Sequence, residues 1–367
     1  MPIIVVFYRE NGLSMTQILL LPTIFSVTAL ILEIPTGYFA DAMGRKKSII
    51  IGTLLGVVGF ATYSFTSGFF YFALAEFFLG ASSSFISGTD SAMLYDSLVQ
   101  MKKKDKYKKY QGIVSSASNF SEAIAAIIGG VIAIISLRFT FYAETIIFLL
   151  SVPVAFSLVE PRRKLASSKQ NVLNIIEAVK FSLHEHKETK WLIIFAAIIG
   201  TATYNMVWFI QPYMQNVGVP LVLFGIIWAI FQFSVGFFAL SSHKIESFFG
   251  RKRSLILLLV LPVIGYFIVG LGNAIWAVPF ILLFYFARGI NSPILGDYVN
   301  NVIPSDKRAT ILSVKNLMWR LVFAVVGPIV GWVADAYSMN AALVASGFII
   351  LIPGIISLLY LHKYKAL

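Results

Sequence analysis

The chain has 367 residues, 58% hydrophobic and 13% charged, with a net charge of +12 and no cysteine. A soluble domain carries about 25% charged residues and is less than half apolar, so the composition excludes a soluble enzyme, a disordered chain and a nucleic-acid-binding domain. Without cysteine there is no disulfide, no thiol chemistry and no Cys-ligated metal; what remains is a polytopic membrane protein.

A bilayer core takes about 20 apolar residues per helix. In chain order such runs span 15–39, 48–66, 70–96, 111–136, 139–158, 191–212, 220–240, 254–272, 275–299, 310–334 and 339–361. They are continuous rather than alternating, which predicts an all-α fold of eleven membrane helices and no β-barrel. Before them, Met1 to Tyr8 is apolar but too short to cross, and reads as the outer end of a first helix. The chain is therefore expected to be a fragment or to follow a late start site. The polar stretch from Val159 to Trp191 divides it into an N-terminal bundle (1–158), a linker (159–190) and a C-terminal bundle (191–367). Within the linker, Val172, Ile175, Ile176, Val179 and Leu183 recur at helical spacing, as in a helix lying on the membrane surface or a short helix in a solvated linker.

Basic residues mark every second connection: Arg45 to Lys47, Lys102 to Lys109, Arg162 to Lys190, Lys244 to Arg253, Lys307 with Arg308, and Lys363 with Lys365. The intervening connections hold Arg9 and Arg138 alone. Positive loops stay on the cytoplasmic side, so these loops and the C-terminus are predicted to be cytoplasmic. The net charge is a topology signal rather than a surface for nucleic acid.

The two halves repeat one another. Gly37-Tyr-Phe-Ala-Asp41-Ala-Met-Gly44-Arg45-Lys46-Lys47 is echoed by His243-Lys-Ile-Glu-Ser-Phe-Phe-Gly250-Arg251-Lys252-Arg253. Ala125-Ala126-Ile-Ile-Gly129-Gly130 is echoed by Gly327-Pro328-Ile-Val-Gly331-Trp332. Such internal repetition suggests two duplicated six-helix halves. The first loop resembles the signature of the major facilitator superfamily, G-x-x-x-D-[RK]-x-G-[RK]-[RK]-[RK], at Gly37, Asp41, Gly44, Arg45, Lys46 and Lys47, departing from it at Ala42. The stretches Glu33-Ile-Pro-Thr-Gly37 and Ser87 to Asp96 are similar to those of bacterial members. The resemblance implies alternating access between two bundles in a bacterial cytoplasmic membrane. The expected partners are a small-molecule substrate, protons and the bilayer, and the chain is expected to act as a monomer. Physically, Gly37 and Gly44 permit close approach and a tight turn. Asp41 can cap a helix end, and Arg45 can pair with Asp96 as a latch that holds one conformer. Asp297 could answer Arg251 in the same way.

Ionisable groups inside spans are costly and therefore functional candidates. The acids Glu33, Glu76, Asp90, Glu122 and Glu144 fall in the first half, and the bases Arg288, Lys315 and Arg320 in the second. Glu76, Gly80, Ser83, Ser87 and Asp90 share a helical stripe. So do Gln111, Ser115, Ser118, Glu122, Ala125 and Gly129, and likewise Ser313, Asn316, Arg320, Ala324, Gly327 and Gly331. Such stripes face protein or water, or pack helices through small residues. By helical rise, Glu33 lies ~12 Å and Arg320 ~15 Å from the basic side, and Glu122 and Arg288 ~18 Å deep, near the midplane. Glu33 and Arg320 could form a buried pair that breaks in one state, since the resemblance packs their helices across the bundle interface.

A carboxylate stripped of water exchanges a proton near neutral pH, so Glu122, then Asp90, then Glu33 are the proton-coupling candidates. Arg288 stays charged and would attract an anionic or polar group of the substrate. Tyr204, Asn205, Trp208 and Gln211 lie on the helix that, by the resemblance, lines the cavity, and aromatic walls with few polar handles suit amphipathic ligands. Glu76 and Glu144 lie nearer the outer end, where they can reach water, and Lys315 can snorkel. The four histidines do not group for a metal, and there is no phosphate-binding loop. No cofactor is expected, and energy would come from a proton gradient. The antiporter signature G-P-x-x-G-G of the superfamily is half kept at Ala125 to Gly130, and the usual Arg four residues before Gly80 is Glu76 here. The sequence favours proton-coupled efflux of amphipathic compounds. Uptake of a small polar nutrient and a non-transporting sensor or scaffold stay open. An enzyme is not expected, because the acids are scattered and no nucleophile–base grouping appears.

Overall fold

A computed structural model describes residues 3–161, 180–303 and 308–364. The amphipathic pattern read in the linker falls largely on 162–179, outside those residues. The fold is all-α, with no strand among the described residues. A short α1 (Ile4–Glu10) leads into α2 (Met15–Met43), α3 (Arg45–Phe65), α4 (Phe69–Ile86), α5 (Thr89–Gln100), α6 (Tyr107–Ile135) and α7 (Leu137–Ser157). After the linker come α8 (Lys187–Asn216), α9 (Val222–Gly272), α10 (Leu282–Val302), α11 (Arg308–Ala336) and α12 (Met339–Lys363).

Ten described helical segments are long and apolar enough to cross a membrane. One of them, α9, runs 51 residues and is broken at Gly250. Counted as two, it restores the eleven spans read from the sequence. The connection expected between 240 and 254 is helical almost throughout, because nothing between Ser241 and Phe249 breaks a helix. The expected single span 70–96 is two helices instead, since Gly88 takes φ +75° between α4 and α5. A left-handed residue ends the helical run there, so Asp90 does not continue the stripe of Glu76 and Gly80.

The chain divides into two compact units. The first gathers Met1–Leu13 with Leu21–Gln170, and the second Ser14–Leu20 with Asn171–Leu367. In the first, α3 turns a row of glycines to its neighbours. A Cβ on Gly52 would come within 2.6 Å of Ile86, on Gly59 within 2.7 Å of Leu79, and on Gly56 within 2.3 Å of Phe148. Small residues at this spacing let backbones approach where no hydrophobic drive separates protein from lipid. In the second unit α8 is the central pillar: 78% of its span is buried, against 19% for the segment holding α6.

The segment Ser14–Leu20 joins the second unit through Asp335, at the end of α11. The Asp335 carboxylate accepts the backbone N–H of Met15 at 2.7 Å, that of Thr16 at 2.8 Å and the Thr16 hydroxyl. This caps α2 at its orphan donors, where helix polarity also favours negative charge. Gly331 lies one turn before Asp335, and a Cβ there would meet the Met15 carbonyl at 2.8 Å.

Candidate functional site

The Gly-Arg turn of the first unit has a definite construction. Gly44 stands at φ +114°, ψ 145°, between the end of α2 and the start of α3, a region open essentially to glycine. The released N–H groups of Arg45 and Lys46 donate to the two oxygens of Glu160 at 2.9 and 2.7 Å. The side chain of Arg45 meets Asp96 at 3.0 Å, joining α3 to α5 as the sequence suggested. Gly37 and Asp41 occupy the last turns of α2, Gly37 exposed and Asp41 partly buried. The Glu160 cap had no signature in the sequence, because an acid in a linker carries no periodicity.

The second turn repeats the backbone with other partners. Gly250 stands at φ +74°, ψ 166°. Arg251 pairs with Glu188, in the first turn of α8, at 3.0 Å. Its guanidinium lies 4.5 Å from the ring centre of Tyr298, whose hydroxyl donates to Glu246 at 2.7 Å. Glu188 lies outside the apolar run that opens at Trp191, and the helix itself starts one turn earlier, at Lys187, which brings this acid into its first turn. Asp297, the acid expected there, is exposed.

The proton-coupling candidates are spread out. Glu33 is exposed on α2 and Glu122 on α6. Asp90 is exposed in the first turn of α5, where one of its oxygens accepts the N–H of Ser91. Glu33 makes no ion pair among the described residues; Arg320, half-buried on α11, lies 5.6 Å from the ring centre of Trp319. The side chains of Ser115, Ser313 and Asn316, which shared the expected stripes, lie outside the described residues.

The deeply buried acid is one that the sequence reading placed near water. Glu76 is 7% exposed, about seven residues into α4 and so ~10 Å from its start. Its Oε1 accepts the hydroxyl of Tyr63 on α3 at 2.6 Å and that of Tyr8 on α1 at 3.3 Å. The two hydroxyls stand 2.7 Å apart. Phe72 and Phe141 pack on Tyr63 with ring centres 5.0 and 5.1 Å away.

In the second unit the expected substrate residues separate by face. Tyr204 and Trp208 share one side of α8. Tyr204 packs on Trp319 and Phe323 of α11 at 5.1 and 4.7 Å between ring centres, and lies 6.2 Å from Trp208. The Trp208 indole N–H is buried without a partner among the described residues. Asn205 turns the other way, its amide donating to Tyr266 and Ser346 at 3.4 and 3.3 Å, with its own oxygen unpaired among the described residues. It belongs to the core of this unit, and Gln211 is as deeply buried. Arg288 is half-buried in the middle of α10. Neither a hydrogen bond nor an ion pair engages its guanidinium among the described residues. Asn291, one turn further on, has a buried oxygen without a partner among the described residues. A buried polar group left unmatched costs about 1–3 kcal/mol, so a ligand that reached the Trp208 N–H or the Asn291 oxygen would gain by pairing with it.

A family model described as Major Facilitator Superfamily matches residues 1–328. An uncharacterized MFS-type transporter, YxaM of Bacillus subtilis (strain 168), is 22% identical over 361 residues, covering 96% of this chain and 89% of that one. Multidrug resistance protein 2 of the same organism is 23% identical over 358 residues, covering 96% and 88%. Among solved structures, the nucleoside transporter NupG superposes with a TM-score of 0.77 at 14% identity, covering 99% of this chain and 92% of that one. A D-xylose–proton symporter superposes with a TM-score of 0.70 at 16% identity, covering 98% and 90%. At these identities the solved structures share the fold.

Proposed function

The chain belongs to the Major Facilitator Superfamily and is a multi-pass membrane transporter of that type, and we propose that it exports amphipathic small molecules in exchange for protons. The basic loops and the C-terminus face the cytoplasm, following the charge bias of the connections. The observation that carries the reading is the half-buried Arg288 guanidinium without a partner among the described residues, together with the buried unmatched atoms of Trp208 and Asn291. A ligand with an apolar body and a negative or hydrogen-bond-accepting group suits them: the body lies on the Tyr204–Trp208 face and the polar group meets Arg288. A relative named as a multidrug resistance protein supports export. Glu122, exposed near the midplane, is the first carrier of the coupled proton, with Asp90 and Glu33 after it. Arg45 with Asp96, at the signature Gly37, Asp41, Gly44 and Lys46, forms a latch that one conformer keeps and the other releases, and Arg320 takes part in the same switching. The transporter acts as a monomer without a cofactor.

The unmatched Arg288 also favours a second reading, uptake of a small anionic or polar nutrient. Proteoliposomes of fixed orientation separate the two. With an imposed pH gradient, export predicts substrate movement against the proton flow and uptake predicts movement with it. Flux indifferent to the gradient for every compound that stabilises the protein would reject both, and would favour a sensor or scaffold on this fold.

A further inference from the structure

We propose that Glu76, Tyr63 and Tyr8 form a second, sealed proton-binding site in the first unit, in which Glu76 holds a proton in the conformation described. Its link to transport rests on the proton-coupled reading above; its protonation does not.

Three oxygens make a triangle with sides of 2.6, 2.7 and 3.3 Å: Glu76 Oε1, Tyr63 Oη and Tyr8 Oη. With an ionised Glu76 the two phenols bring two hydrogens to three contacts, and one side is left as two facing lone pairs. A hydrogen on the carboxyl group is the third. The ring is then filled, each oxygen donating once and accepting once: Tyr63 to Glu76, Glu76 to Tyr8, and Tyr8 to Tyr63. All three side chains are buried, and burying a charge without a counter-charge is costly.

Among the described residues no cation pairs with Glu76, and its partners on α1 and α3 are both phenols. From α7, Phe141 packs against Tyr63, and the cation on the same helix, Arg138, is engaged elsewhere. That guanidinium is held at the surface end of the unit: it donates to the carbonyls of Ser64 and Thr66 at 3.0 and 2.8 Å, to Ser67 at 2.8 Å and to Asn11 at 3.3 Å, and lies over the ring of Phe7. Glu144, also on α7, is half-buried and supplies no positive charge. Three different helices supply the three oxygens, so α1 cannot separate from α4 without opening the ring. In the closed arrangement the aromatic packing keeps water out and the proton in. Opening lets water reach Glu76 and the proton leave, so exchange at this site follows the conformational cycle. No covalent bond other than O–H forms or breaks, and water is the acceptor.

Infrared difference spectroscopy of the purified protein in lipid, titrated through neutral pH, tests this. Wild type is expected to show the carbonyl band of a protonated buried carboxyl at pH 7. The band should vanish in Glu76→Gln and persist in Glu122→Gln. In Tyr63→Phe it should shift, because a hydrogen-bond donor has been removed while the carboxyl stays. A wild-type spectrum at pH 7 identical to that of Glu76→Gln would overturn the proposal. Should Glu76→Gln fail to fold, an unshifted band in Tyr63→Phe overturns it equally. The coupling role is read from flux: Glu76→Gln should keep substrate exchange and lose acceleration by a pH gradient, whereas unchanged acceleration removes that role. If wild type itself shows no gradient-driven flux, the proposed function falls while the band still decides the proton site.

Discussion

Gly44 and Gly250 both begin a helix from a backbone region closed to other residues, and both are followed by an arginine that crosses to an acid 3.0 Å away. Their surroundings differ. At the first turn two acids divide the work, Glu160 taking the backbone and Asp96 the side chain. At the second, Glu188 takes the side chain and Tyr298 stacks on it, and a helix runs up to the glycine without the separate loop acid that the first turn uses. A repeated motif thus dictates the turn and the projecting cation. The acid that answers is recruited from whichever element lies nearby, and that element differs between the halves.

The largest effect is expected from crowding the first turn. In Gly44→Ala the new methyl meets Glu160 at 3.1 Å and the backbone is strained as well. A cost of about 2–3 kcal/mol should lower the unfolding midpoint in detergent. Gly250→Ala has nothing within 4 Å of the added atom and carries the strain alone, about 1–2 kcal/mol; an equal or greater loss there would break the comparison. Arg45→Ala leaves Asp96 unanswered at about 1.5–3 kcal/mol. It should also shift the balance of conformers, seen as faster cysteine labelling of positions introduced at the basic end. Arg251→Ala should cost less, because Arg251 is already 34% exposed where Arg45 is 14% exposed, so its pair is more screened by solvent. The smallest effect is expected from Glu160→Ala, a lost cap worth about 1 kcal/mol. Glu160→Gln should recover part of it, and no change in either variant would show that water caps α3 equally well.

Much of this was legible beforehand. Long apolar runs gave the spans, and alternation of basic loops paired them. Arg45 found Asp96 because both lie at helix ends set by those spans. What stayed hidden depends on partners from several elements at once. Glu76 reads as an acid near a helix end; only α1 and α3, which bring Tyr8 and Tyr63 to it, turn it into an enclosed group. Asp90 looked like part of the same stripe until Gly88 turned the chain. Asn205 and Trp208 lie three residues apart on α8, yet one serves the core and the other leaves an N–H unmatched, a distinction set by the neighbours of the helix rather than by its spacing.

The clasp of Asp335 on the first residues of α2 has a mechanical result. Six residues of that helix, Met15 to Leu20, belong to the second unit and the rest to the first. The changeover lies beside Pro22, which lacks an N–H and frees the carbonyl one turn back. Helix α2 is therefore a shared beam with a weak point built in near one end. With its first turn pinned by the carboxylate and its hydrogen-bond ladder interrupted just beyond, a load on this helix is relieved by bending beside the proline before the capping bonds give way.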